Sequence, residues 1–278
     1  MKIRVLMITY NRPVYTAMAL GRLCDTLPDD ARVTVWDNGS ETETLDVIKQ
    51  FEGHRLVERI VYNRRNEKLR GPTNWFWQSV GEAEFVSKVD DDGLMPDNWT
   101  QALERAHRDI PQAGILGTWR FPEEDFAVDL ARKKIQTFGP HQLLRSCWVE
   151  GSGYLMKRQV IERIGFIGER ESFTTYCIRA AAVGFINGWY FPFLYQEHMD
   201  DPRAPHTEMR TETDFARLRP LSAQTFKLAS REEWTNKLKE LARSLQVCSY
   251  DPTDYLGPKA WLRQKACRIM GRSYIPRA

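Results

Sequence analysis

No run of apolar residues in this chain approaches the ~20 needed to cross a bilayer. Cysteine is scarce and scattered: Cys24, Cys147, Cys177, Cys248 and Cys267 are odd in number and form no CxxC pair. That excludes the usual zinc knuckle and argues against a disulfide framework, so a reducing, cytoplasmic setting is expected. Met1 leads directly into Lys2–Ile8, with no cleavage site, so no signal peptide is expected. Net charge of one sign is also lacking. At +3 over 278 residues, the chain as a whole does not have the profile of a nucleic-acid binder. Internal repeats and low-complexity tracts are missing too. A composition of 42% hydrophobic and 28% charged residues is that of a folded globular protein.

The chain does contain an alternation of strands and helices. Ile3–Thr9 reads as a buried strand, and a helix starts at Pro13, where a proline suits the first turn. Further strands are expected at 33–36, 60–62, 85–89 and 114–118, with helices at 43–51, 74–83 and from 96 onward. A strand interrupted by Gly151-Ser152-Gly153 is expected over 148–156, and an aromatic-rich one over 187–195. Short helices are read at 159–164 and 177–183. The segment 119–146 has no readable period, and helices return at 231–245 and 259–270. Such alternation implies right-handed βαβ units, hence an α/β fold with a mainly parallel sheet. Ligands of such sheets bind beyond the carboxyl ends of the strands. Three of the first four strands end in polar clusters: Thr9–Arg12, Asp37–Ser40 and Asp90–Asp92.

Three consecutive carboxylates raise one another's pKa unless a cation or several donors meet them. Oxygen donors of this kind suit Mg²⁺ or Mn²⁺, which share phosphate oxygens with a substrate. The same triplet also reads as an acidic turn ahead of the next helix. His198 is either a further metal ligand or an ordinary surface or core histidine. Arg64, Arg65, Lys68 and Arg70 form a basic loop that either meets a diphosphate or is simply solvated. Asp37-Asn38-Gly39 and the pair Thr9 and Asn11 are equally readable as nucleotide contacts or as turn chemistry.

Taken in order, these motifs resemble the family 2 glycosyltransferases of the GT-A fold. The residues that carry the likeness are Val5–Pro13, Val35–Ser40, Asn66 with Gly71–Asn74, and Val89–Asp92 with Pro96. Gly151–Lys157, Ile164–Glu169, Arg179, Gly184-Phe185 and His198 follow at the expected spacing. The resemblance implies a GT-A (Rossmann-like) domain over 1–200, with a nucleotide-binding half at 1–110 and an acceptor half at 111–200. A basic, helical C-terminal extension would occupy 201–278. It further implies that Thr9, Tyr10, Asn11, Arg12, Asp37, Asn38, Arg70, Asn74, Asp90, Asp91, Gly151 and Ser152 meet a nucleotide-diphosphate sugar of the UDP, dTDP or GDP type. Asp92, Asp90 and His198 would hold Mn²⁺ or Mg²⁺, which stabilises the charge building on the leaving group. The family's base is usually an acid of a Glu-Asp pair before an arginine like Arg179. Ser172 and Phe173 stand in those places, which leaves Glu171 as first candidate and Glu169 as second.

The implied activity is inverting transfer of a sugar to an acceptor hydroxyl on a glycan or lipid-linked glycan, as in bacterial surface-polysaccharide or glycoconjugate synthesis. Two other readings stay open: a nucleotidyltransferase, although the first strand lacks a Gly-rich phosphate loop, and a glycan-binding protein that has lost catalysis. From Gly257 to Ala278 there are six Lys or Arg residues and no acid. With Trp261, Leu262, Ile269 and Met270 among them, that segment reads either as a helix on an anionic membrane surface or as a packed helix with a solvated basic side.

Overall fold

The computed structural model describes residues 1–269 and 276–278, leaving aside the side chains of Lys259, Gln264, Arg268 and Ile269. The chain begins with β1 (Ile3–Thr9), α1 (Pro13–Thr26), β2 (Ala31–Asp37), α2 (Thr42–Lys49) and β3 (Val57–Tyr62). It continues through α3 (Arg70–Ser79), β4 (Phe85–Asp90), β5 (Gly93–Leu94), α4 (Trp99–Asp109) and β6 (Ala113–Gly117). Next come α5 (Val128–Ala131), β7 (Ile135–Phe138), β8 (His141–Ser146), β9 (Tyr154–Lys157), α6 (Arg158–Ile164) and α7 (Phe173–Ala182). Strands β10 (Ile186–Phe191) and β11 (Glu197–His198) precede α8 (Glu212–Leu218), α9 (Leu221–Thr225), α10 (Arg231–Val247) and α11 (Pro258–Ile269).

Nine strands form one sheet in the order β3-β2-β1-β4-β9-β6-β10-β8-β7. The first four are parallel, β10 is parallel to β6, and β9 lies antiparallel between β4 and β6. Helices cover both faces, and β1 shows why its sequence runs apolar with little interruption. Val5 and Met7 enter one core with Leu20, Leu23, Trp99 and Leu103, whereas Leu6 and Ile8 enter the other with Phe76, Trp77, Tyr176 and Trp234. The sheet is therefore the α/β layer that the alternation predicts.

Several boundaries differ from the expectation, each for a local reason. The run 148–156 is strand only from Tyr154, because Gly153 adopts φ +69°, a left-handed conformation that breaks the extended chain. Asn98 sits at φ 55°, so α4 starts at Trp99 rather than near Pro96. Ser172 accepts from the Thr175 amide at 3.1 Å and caps α7, which therefore begins at Phe173 rather than Cys177. α3 starts four residues earlier than expected, at Arg70. The unread segment 119–146 supplies the β7–β8 hairpin at the sheet edge.

The C-terminal segment is not held apart from the rest. Phe215, Trp234, Leu238, Ala242 and Leu245 are buried in the same core as Trp119 and Trp189. Of the basic tail, Met270 and Arg272 lie outside the described residues. Among the described residues no helix is long and apolar enough to cross a membrane.

Candidate active site

β1, β2 and β4 are neighbours, and their carboxyl ends finish level: Thr9 stands opposite Asp37, and Ile8 opposite Asp90. The polar clusters seen in the sequence thus meet at one edge of the sheet. β4 stops at Asp90, the chain turns through Asp91 and Asp92, and β5 follows at once. β5 pairs antiparallel with β11, setting His198 opposite Gly93, and the Met199 amide donates to the Asp92 carbonyl at 2.8 Å. This two-stranded clip brings His198 Nε2 to 3.4 Å from Asp92 Oδ2. Asp200 follows two residues later, and Asp92, His198 and Asp200 each present one ligand atom, all within 4.8 Å of one another.

Arg12, just ahead of α1, completes the cluster. Its guanidinium pairs with Asp200 and lies 3.5 Å from Asp91 Oδ1 and 3.7 Å from Asp92 Oδ2. Burial works to lower the Arg12 pKa, but the carboxylates of Asp200, Asp91 and Asp92 outweigh it and raise it. Burial pushes Asp91 up to about 7, with Asp92 and Asp90 adding to it against the pull of Arg12. Burial, and then the Asp92 charge, also raise Asp200 despite Arg12. For Asp92 the burial is overcome by His198 and then Arg12, which hold its carboxyl well below the usual range.

Three buried or half-buried carboxylates around one guanidinium leave negative charge uncompensated, and a divalent cation would balance it. The donor set fits such an ion. Two carboxylates with one imidazole suit Mn²⁺ better than Mg²⁺, which prefers oxygen throughout. Asp90 does not join this set. Its carboxylate pairs with Lys88, two residues back on the same strand face, and the turn after Asp90 breaks the alternation that would align it with Asp92. Asp200 takes its place, a residue the sequence reading passed over. No strand spacing marked it: the chain turns directly after β11, with the Asp201 amide donating to the His198 carbonyl at 2.8 Å, and that turn sets Asp200 beside His198.

The sequence profile described as "Glycosyl transferase family 2" matches residues 4–165. This chain belongs to that family. The glycosyltransferase fold is shared with solved structures of low sequence identity. A mannosyltransferase, PcManGT from Pyrobaculum calidifontis in complex with GDP-Man and Mn²⁺, aligns at TM-score 0.59 and 17% identity, over 97% of this chain and 80% of that one. S. aureus TarS 1–349 in complex with UDP-GlcNAc aligns at TM-score 0.54 and 15% identity, covering 99% and 93% of the two chains. GalNAc-T7 with UDP, GalNAc and Mn²⁺ aligns at 0.51 and 17%, covering 71% and 43%. Comparison with curated proteins returned no match. Membership of the family sets aside the nucleotidyltransferase reading.

In this glycosyltransferase the other expected nucleotide contacts divide into two groups. Tyr10, Asn11 and Arg70 are exposed at the same edge of the sheet. Thr9 is buried, its hydroxyl 2.6 Å from that of Thr16. Asp37 accepts from the Gly39 and Ser40 amides, each at 3.1 Å, which closes the turn after β2. Asn38 and Asn74 have their side chains already engaged. The Asn38 carbonyl oxygen accepts from Trp36 Nε1 and the Glu67 amide, and its NH₂ donates to the Lys68 carbonyl. Asn74 exchanges both its hydrogen bonds with the backbone of Ile167, at 2.8 and 3.1 Å. Asn38 thereby holds the 67–68 segment to the end of β2, and Asn74 holds the loop at Ile167 to α3.

The Gly151–Gly153 loop lies against the end of β4. The Gly151 carbonyl accepts from Lys88 Nζ at 2.9 Å, and Ser152 Oγ accepts from the Asp90 amide at 2.9 Å. A Cβ on Gly153 would stand 1.8 Å from Gln196 Oε1, so only glycine fits. The two expected base candidates lie on the loop ahead of α7. Glu171 receives Arg179 Nε at 2.7 Å, Arg179 NH2 at 2.9 Å and the Gly168 amide at 2.8 Å. Both of its oxygens are occupied in bracing the loop onto α7. Glu169 is exposed on that same loop.

Proposed function

We propose that this enzyme moves a glycosyl group from a nucleoside-diphosphate sugar to an acceptor hydroxyl with inversion, in a reaction that depends on a divalent metal. The observation that carries the reading is the convergence of Asp92, His198 and Asp200 within 4.8 Å at the carboxyl edge of the sheet. When bound there, Mn²⁺ or Mg²⁺ supplies Lewis-acid neutralisation of the diphosphate leaving group. Asp92 and Asp200 offer oxygen donors and His198 a nitrogen, while Arg12 orients Asp200 and offsets the charge of Asp91. Tyr10, Asn11 and Arg70 stand exposed on the side where a nucleotide would lie. The neighbours solved with GDP-Man, UDP-GlcNAc and UDP support a nucleotide-sugar donor.

The acceptor in this reading is a glycan or lipid-linked glycan of bacterial surface-polysaccharide or glycoconjugate synthesis, met at the cytoplasmic face of the membrane. Exposed Trp261 and Leu262 on basic α11 support a membrane-surface location. The test is a thermal-shift titration with UDP, GDP and dTDP, with and without Mn²⁺ or Mg²⁺. A ligand at a hundredfold excess over its Kd stabilises by about 2.7 kcal/mol. A nucleotide shift that requires the metal is expected. A melting curve indifferent to every combination would refute the reading.

A further inference from the structure

Transfer by displacement needs a group to take the acceptor proton. Of the two acids expected for it, Glu171 is taken up by Arg179 and the Gly168 amide. Glu169 stands exposed on the loop, away from any contact with the carboxylate cluster among the described residues. Ser172 is a helix cap, Phe173 stacks on Tyr154 at 4.7 Å, and Glu171 is closed off by Arg179. We propose that Glu150 is the catalytic base of the transfer reaction proposed above.

Two independent contacts tether Glu150 to the carboxylate cluster. On one side it precedes Gly151 and Ser152, which dock on Lys88 and the Asp90 amide. On the other side lies Arg120, just after β6, with its NH1 3.3 Å from His198 Nε2 and its Nε 3.8 Å from Glu150 Oε1. A path of short contacts therefore runs from Asp92 through His198 and Arg120 to Glu150. A base must stand away from the metal ligands by the bond from leaving oxygen to anomeric carbon, then about 3 Å to the acceptor oxygen and about 3 Å more to the carboxylate. Two intervening side chains leave that room.

Trp189 Nε1 donates to Glu150 Oε2 at 2.9 Å, which fixes the carboxylate while Oε1 faces Arg120 at the longer distance. The Glu150 side chain keeps 16% exposure, so it is held but not sealed. Arg120 Nε is buried without a hydrogen-bond partner, a donor left over in the same place. In the step itself, the acceptor O–H proton passes to Glu150 and the freed oxygen pair bonds to the anomeric carbon. The bond from that carbon to the β-phosphate oxygen breaks, and its electron pair departs with the nucleoside diphosphate.

A merely structural Glu150 would serve as counter-ion to Arg120 and as acceptor for Trp189, and kinetics separates the two roles. UDP-GlcNAc and GDP-mannose serve as donor probes with Mn²⁺, water serves as acceptor, and release of nucleoside diphosphate is the readout. For Glu150→Gln, donor KM and the metal-dependent nucleotide shift are expected to stay within about twofold of wild type while kcat falls about 10²–10⁴-fold. For Glu150→Ala, added formate is expected to restore part of kcat at unchanged donor KM. Turnover of Glu150→Gln within about threefold of wild type would overturn the assignment, as would Glu150→Ala that binds donor but gains nothing from formate. Wild-type protein with neither a nucleotide shift nor product release would instead defeat the transfer reading beneath it.

Discussion

Asp90 and Asp200 look alike as residue types, yet their partners assign them different work. Asp90 is half-buried, is paired with Lys88 and lies outside the group of Asp92, His198 and Asp200, so its loss removes no member of that group. Asp200 is buried and shared between Arg12 and the group with Asp92 and His198. Asp200→Asn keeps the shape and removes one anionic ligand, so Mn²⁺ affinity should fall by at least about 100-fold. Asp90→Asn should stay within about threefold of wild type in the same titration. Mn²⁺ binding followed by electron paramagnetic resonance decides, and equal losses in the two variants would contradict the geometry. Asp92 and His198 were readable in the sequence because a strand end and a spaced histidine are local patterns. The partners of Asn38, Asn74 and Glu171 were not readable, for the opposite reason. A polar side chain whose capacity is taken by a distant backbone, such as Asn74 on Ile167, looks identical in sequence to one left free for a ligand.

Elements were legible where one rule governed them. β1, β2 and β4 are apolar because helices cover both faces, and their polar ends mark the carboxyl edge. The hairpin β7–β8 was not legible, since β7 at the sheet edge buries little and the pairing of β8 is set by a distant neighbour, β10. α4 carries a less obvious consequence of packing. Its His107 is 1% exposed, donates from Nε2 to the Leu155 carbonyl at 2.9 Å, and lies against Phe85. Burial pushes its pKa down to about 4, helped by Lys157 and opposed by the Leu155 bond. The folded value is thus below the unfolded value of about 6.5. The unfolded chain takes up the proton first, so stability held above pH 6.5 is lost as pH falls toward 4. About 2–3 kcal/mol should disappear between pH 7 and 4.5 from this residue. Urea midpoints for wild type and His107→Gln at both pH values test it. The gap between the two proteins should shrink at the lower pH, and a constant gap would show that His107 does not titrate in this window.

At the scale of the whole molecule, the C-terminal segment does two different jobs along its length. α10 belongs to the core and to the site: Trp234 Nε1 donates to the Asp200 carbonyl at 2.7 Å, and Gln246 bridges the Ala127 amide and the Asp125 carbonyl. Helical spacing marked α10 as amphipathic, but which sheet face it covers depends on long-range contacts that a periodicity cannot supply. α11 shows the reverse balance. Ala260 is buried, while Trp261 and Leu262 are 57% and 58% exposed, with Lys265 placed over the Trp261 ring. Covering the exposed part of these two apolar side chains is together worth about 2–3 kcal/mol, and each basic residue close to an anionic surface adds about 1 kcal/mol. A sum of that size is what reversible attachment to an anionic membrane surface requires, as the proposed function expects. Cosedimentation with phosphatidylglycerol-containing vesicles should therefore retain the wild-type protein at low salt and release it as salt screens the basic side. Trp261→Ser combined with Leu262→Ser should abolish retention while leaving the melting temperature and the metal-dependent nucleotide response in place, because neither side chain contributes to the core. Retention unchanged in the double variant would leave α11 as a packed helix with a solvated basic side.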